Sequence, residues 1–280
     1  MNASRLADAM SYIDDDLLDT AIQKTEHRKP RHWTRWVAIA ACFAAVIGTA
    51  TAAANSQYGT KLLGTFVSQS DSDPNYIEYG FALSAQIKRF SATAFTGKVQ
   101  EVPARIRWQI ENLPLHSNQM PTTFLQKFPS AAEARKYLGL PQLHVSDWEQ
   151  VFEETGTTLM IEGDLDGSMM HLHLDTGYHV NGFFVQTIAQ IYTEHWKDDI
   201  INYRAVSLDE REYSESFYTT AKQLQCHIIT SHNLENGQIG LHGFLVEGGI
   251  LYSMNISYTE EKDAPRAEAL LHQWAEQFGG

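Results

Sequence analysis

The residues best placed to do chemistry lie in "SMMHLHLDTG", where His171, His173 and Asp175 recur at intervals of two. Successive side chains of a strand point to opposite faces, so these three share one face. Two imidazoles and a carboxylate in that arrangement hold zinc or copper. The same spacing describes the outer side of a strand whose Met170, Leu172 and Leu174 point inward, and no fourth ligand accompanies it. We therefore expect no metal there. "GDLDGS" sets Asp164, Asp166 and Asp175 near calcium-loop positions, but its glycine falls at the fourth position where that loop needs one at the sixth. A surface turn is the better reading. The chain contains no G-x-S-x-G, H-E-x-x-H, G-x-x-x-x-G-K, S-x-x-K or C-x-x-C, the signatures of several nucleophile, metal and phosphate chemistries. No catalytic residue is assigned, no cofactor is called for, and the expectation is that the chain is not an enzyme.

The elements that must position these side chains are mostly strands. "YIEYGFALSAQI", the stretch from Thr157, "GFFVQTIAQIYTEH", "LQCHIITSH", "QIGLHGFLVE" and "ILYSMNISYT" all read as β. Asn236-Gly237 and Gly248-Gly249 are expected to close two of the hairpins. "FPSAAEARKYLGLP" is a helix with a capping box, Ser130 with Glu133, and a stop at Gly139 before Pro141. A last helix, roughly 264–278, carries Ala267, Leu270, Leu271, Trp274 and Phe278 along one side. Runs of strands with separate helices predict an α+β domain built on an antiparallel sheet, with no internal repeat.

The N-terminal quarter differs. Trp36 to Ala54 are 19 residues without a charge, roughly 28 Å as a helix, which matches a bilayer's hydrocarbon thickness. Arg28, Lys29, Arg31 and Arg35 precede this stretch and the next basic residue is Lys61, so the N-terminus is expected in the cytoplasm. A cleaved signal and a buried soluble helix are the competing readings. Residues 4–24 form an amphipathic pattern in which Leu6, Met10, Ile13 and Leu17 make an apolar stripe opposite Asp14-Asp15-Asp16. That stripe is the expected partner-binding surface, since an acidic helix is repelled by an anionic membrane face. The expected layout is a cytoplasmic tail (1–35), a transmembrane helix (36–54), a linker (55–75) and an extracellular domain (76–280). Net charge is −13. Residues 1–35 hold six acidic and six basic side chains, so the 28 acidic and 15 basic residues beyond carry all of it. Such a surface excludes nucleic acid as the ligand. Cys42 and Cys226 are too differently placed to pair.

"DAMSYIDDDLLDTAIQ", the basic Trp-containing stretch and the Ala-rich anchor resemble the opening of single-pass membrane proteins of anaerobic Gram-positive bacteria. Some of these are encoded beside extracytoplasmic-function sigma factors in the manner of anti-sigma factors. "FPSAAEARKYLGLP", "GFFVQTIAQIYTE" and "GGILYSMNISY" look like the extracellular domains of unknown function attached to them. The resemblance implies a signal-transducing regulator whose tail holds a sigma factor or another cytoplasmic protein. An outward-facing binding or structural module without a sigma partner remains open at this point, as does an extracellular enzyme with an unfamiliar site.

Overall fold

Apolar and polar side chains alternate through residues 170–175, the period of a sheet with one buried face, whereas residues 225–258 carry apolar side chains at consecutive positions, as strands covered on both faces do. The computed structural model describes residues 60–69, 77–112, 122–197 and 210–279, and they contain the expected antiparallel sheet. β1 (Thr60–Gln69) and β2 (Ile77–Ala85) pair with each other alone. The large sheet holds β3 (Arg89–Phe90), β4 (Thr123–Phe128), β5 (Glu153–Gly163), β6 (Met169–Val180), β7 (Phe183–Thr193), β8 (Arg211–Thr219), β9 (Gln225–Asn233), β10 (Ile239–Glu247) and β11 (Ile250–Tyr258). Its order is β4-β5-β6-β7-β11-β10-β9-β8, with β3 running parallel beside the end of β7. Two meanders therefore meet where β7 pairs β11, from Val185 opposite Ile256 to Gln190 opposite Leu251.

Helices cover one face. They are α1 (Gly97–Gln100), α2 (Val102–Asn112), α3 (Ala131–Leu138), α4 (Trp148–Val151) and α5 (Ala264–Ala275). Ser130 caps α3 by accepting from the Glu133 N–H, and Gly139 ends it at φ 68° while donating to the Arg135 carbonyl, as the sequence pattern requires. Ala267, Leu270, Leu271, Trp274 and Phe278 are all buried. Together with Ile106, Leu138 and Trp148 they cover Leu159, Ile161, Leu172, Leu174, Val185, Ile191, Leu245 and Met254 of the sheet. Each such burial contributes about 1.5–3 kcal/mol before the entropy of ordering is subtracted. On the opposite face a smaller cluster forms, with Phe81 and Leu83 of β2 against Tyr192, Ile229, Phe244 and Leu251.

Three expectations change. Residues 55–75 are not linker throughout, because Thr60–Gln69 is β1, in register with β2 from Thr60–Ala85 to Gln69–Ile77. The turn-rich stretches "NSQYGT" and "SQSDSDP" suggest a boundary but only overlap the ends of β1, and pairing with β2 supplies its backbone hydrogen bonds. Asn236-Gly237 is not a two-residue turn. Only Gly237 has positive φ, and the Asn233 side chain organises a longer loop by accepting from the N–H groups of Glu235 and Asn236. Finally, Met170 leaves the inward stripe: a bulge between Glu162 and Gly163 makes Met169 the buried residue. The two-residue turns are Gly248-Gly249 and Asn181-Gly182, positive in φ at both positions, as hairpins of this kind demand.

Among the described residues no helix is long and apolar enough to cross a membrane. The expected span, Trp36 to Ala54, and the helix carrying Leu6, Met10, Ile13 and Leu17 lie outside the described residues. Cys226 is a buried free thiol of β9, pushed up by burial to about 12, so the domain owes nothing to a disulfide.

Two outcomes follow from this packing. A fragment starting at Asn55 should melt cooperatively, whereas one starting at Tyr76 loses β1, leaves β2 unpaired, and should melt at least several degrees lower by circular dichroism. Gly182→Val meets no neighbour but must hold a β-branched residue at φ 87°. It should cost about 1–3 kcal/mol in urea unfolding.

Candidate functional site

The Asn181-Gly182 turn fixes the register of β6 against β7, and with it the side chains that meet on the face away from the helices. His179 lies opposite Phe184, Gly177 opposite Gln186, Asp175 opposite Ile188, His173 opposite Gln190 and His171 opposite Tyr192. β5 and β4 extend these rows, setting Thr158 beside Asp175 and Lys127 beyond Thr158. His171, His173 and Asp175 therefore do share a face, as their spacing predicts.

They divide into two groups on it. His171 stacks on Tyr192 with ring centroids 4.4 Å apart. Its Nδ1 is 3.4 Å from Glu162 Oε2 and 3.1 Å from His173 Nε2. Nδ1 bearing the proton would face both the carboxylate and the His173 ring nitrogen, whereas the other tautomer makes His173 the donor. The bond from His171 is the main reason the Glu162 carboxyl is lowered. Burial, with His171 adding to it, drives His173 down to about 3, so it stays uncharged at neutral pH. The Tyr192 hydroxyl donates to Gln190 Oε1 at 2.8 Å, deep in the fold. Asp175 stands apart, accepting from Gln186 Nε2 at 2.6 Å. Among the described residues no three His, Cys, Asp or Glu side chains are grouped to hold a metal ion. The carboxylates of "GDLDGS" serve their own turn: Asp164 accepts from Leu165 N–H and Asp166 from Ser168 N–H.

Asp175 lines a cleft of about 280 Å³ with Lys127, Thr155, Thr158, Gly177, Phe184 and Gln186 among its walls. Burial raises the Asp175 carboxyl, and the Gln186 bond opposes that rise. Phe184 is 55% exposed and leans across Gly177, where a Cβ would come within 3.1 Å of its ring and 2.3 Å of Thr155 Oγ1. Only glycine leaves room for both. Sequence reasoning identified Asp175 but missed Lys127, Gln186 and Phe184. The Asn-Gly pair at 181–182 is the signal that places two of them, because a two-residue turn dictates every partner of β6 on β7.

The other half of this face lies under the β1–β2 hairpin. There His242 Nδ1 meets Asn255 Oδ1 at 2.9 Å and its Nε2 meets Ser231 Oγ at 3.2 Å. His227 Nε2 meets Glu215 Oε2 at 3.1 Å. Burial lowers both histidines, the carboxylate of Glu215 partly countering it at His227. On the helix face burial likewise lowers His144. Burial thus disfavours the charged form of His144, His173, His227 and His242. Ser231, His242 and Asn255 do stand in line as hydroxyl, imidazole and amide, but the Ser231 hydroxyl is buried and also donates to the Gly240 carbonyl.

No family model matches this chain, and no curated protein or solved structure does.

These histidines dictate an acid dependence. Their folded pKa values lie below the unfolded value near 6.5, so below that pH the unfolded chain binds more protons and stability falls as pH drops. Above about pH 7 the contribution is fully retained. Between pH 6.5 and 4.5 the loss is carried by His144, His173, His227 and His242, before most carboxylates titrate. Urea unfolding across that window should show it. His173→Gln should reduce the loss by up to about 3 kcal/mol at pH 4.5; an unchanged slope would remove His173 from the account.

Proposed function

We propose that the chain is a single-pass membrane protein whose outer domain binds a ligand and whose inner tail transmits the state of that domain to a cytoplasmic partner, in the manner of an anti-sigma factor. The observation that carries this reading is the charge asymmetry around Trp36 to Ala54: Arg28, Lys29, Arg31 and Arg35 on one side, and no basic residue before Lys61 on the other. The open cleft around Asp175 is the ligand face of the outer domain, and the stripe of Leu6, Met10, Ile13 and Leu17 is the face offered to a sigma factor or another cytoplasmic protein.

Topology is the primary test. A reporter active only outside the cytoplasm, fused after Gly280, should be active, and changing Arg28, Lys29, Arg31 and Arg35 to Glu should weaken or invert insertion. Activity confined to a cytoplasmic reporter refutes the layout. For the tail, a peptide of residues 1–26 should gain helicity with the cognate sigma factor. Ile13→Asp or Leu17→Asp should weaken that binding at least tenfold, since each loses about 1.5–3 kcal/mol of burial. Folding on anionic vesicles instead would make the tail a membrane-surface element.

A further inference from the structure

We infer that the cleft over β5, β6 and β7 is a subsite for one uncharged sugar unit of a glycan. The inference names the ligand of the outer domain, and it rests on the preceding reading only for where that ligand is met.

The chemistry of the walls selects the class. Phe184 presents an open aromatic surface, 55% exposed, beside Gly177. The C–H face of a pyranose packs against such a ring, because the ring's negative face attracts polarised C–H groups. Next to it stand two planar polar groups already joined, the Asp175 carboxylate and the Gln186 amide, 2.6 Å apart. That bond occupies one carboxylate oxygen and one amide hydrogen. The other carboxylate oxygen, the amide oxygen and the second amide hydrogen remain to pair with hydroxyls that both donate and accept. Thr158, in the same row as Asp175, adds a hydroxyl.

Charge argues in the same direction. The walls carry one ammonium, Lys127, and one carboxylate, Asp175, in a chain of net charge −13. A cleft meant for a cation would be expected to keep the chain's acidic excess, and one meant for an anion would need more than a single lysine. An ionic ligand gains little here, whereas a neutral polyhydroxyl ligand uses every group present. Size agrees: about 280 Å³ lies just below the range of pockets for drug-sized ligands, so a single ring seats while the rest of the glycan continues outside.

The test is retention of the full-length chain, purified in a detergent without a sugar headgroup, on an array of immobilised neutral and anionic glycans. Neutral glycans should retain it. Phe184→Ala and Asp175→Asn should each lower that retention at least tenfold, Phe184→Trp should preserve it, and Leu165→Ala, in the exposed β5–β6 turn, should leave it unchanged. Melting midpoints measured alongside should stay within a few degrees of the parent, because Phe184 is a surface residue. Retention on anionic glycans alone, equal retention by Phe184→Ala, or none on any neutral glycan overturns the inference. Each of these results is independent of the reporter assay for topology.

Discussion

The packing of Leu172, Leu174, Val185 and Ile191 beneath Trp148, Leu271 and Trp274 is the interaction on which everything else in the domain depends. A broad sheet cannot stand in water with both faces apolar, and one layer of helices covers one face. Once β6 and β7 commit their aliphatic residues to the helices, alternation sends His171, His173, Asp175, Gln186 and Gln190 to the other side. The polar character of that side is therefore a consequence of how the core is built.

What happens on the second face differs from one half to the other. Over β9, β10 and β11 the β1–β2 hairpin supplies Phe81 and Leu83, and the polar groups caught beneath it find partners in one another, as His242 does with Asn255 and Ser231. Burying polar groups is tolerable only when they are paired in this way. Over β5 and β6 the Asp175 cleft stays open instead. The boundary between the halves runs near Tyr192 and Trp196, whose rings pack at 5.1 Å and which both touch His171. The buried His171 ring joins the covered region to the open one.

Much of this was legible in the residues. The capping box at Ser130 and the stripe from Ala267 to Phe278 are local patterns, and local patterns survive into the fold. β1 and β8 escaped notice for opposite reasons. β1 is short of the aliphatic alternation that announces a strand and takes its order from β2. β8, "REYSESFYT", is an edge strand whose side chains are largely exposed, so nothing enforces an apolar period on it. The cleft was half visible: the shared face of His171, His173 and Asp175 follows from strand geometry, but Lys127 joins the row of Asp175 only through a pairing of β4 with β5 that spans an intervening pair of helices. Such long-range register has no local signature.

The mirrored order of the sheet has a consequence for how the chain reaches its fold. Within β4 to β7 and within β8 to β11, each strand after the first pairs with its immediate predecessor. Several of these ladders close over turns as short as Asn181-Gly182 and Gly248-Gly249, at small entropic cost. Only the β7–β11 ladder joins the halves, its partners some 60 to 70 positions apart in the chain. The two meanders are thus natural cooperative units, and on contact-order grounds their docking is expected last. The same seam is where two copies could trade halves: β8 to β11 of one chain against β7 of another would restore every hydrogen bond of the sheet.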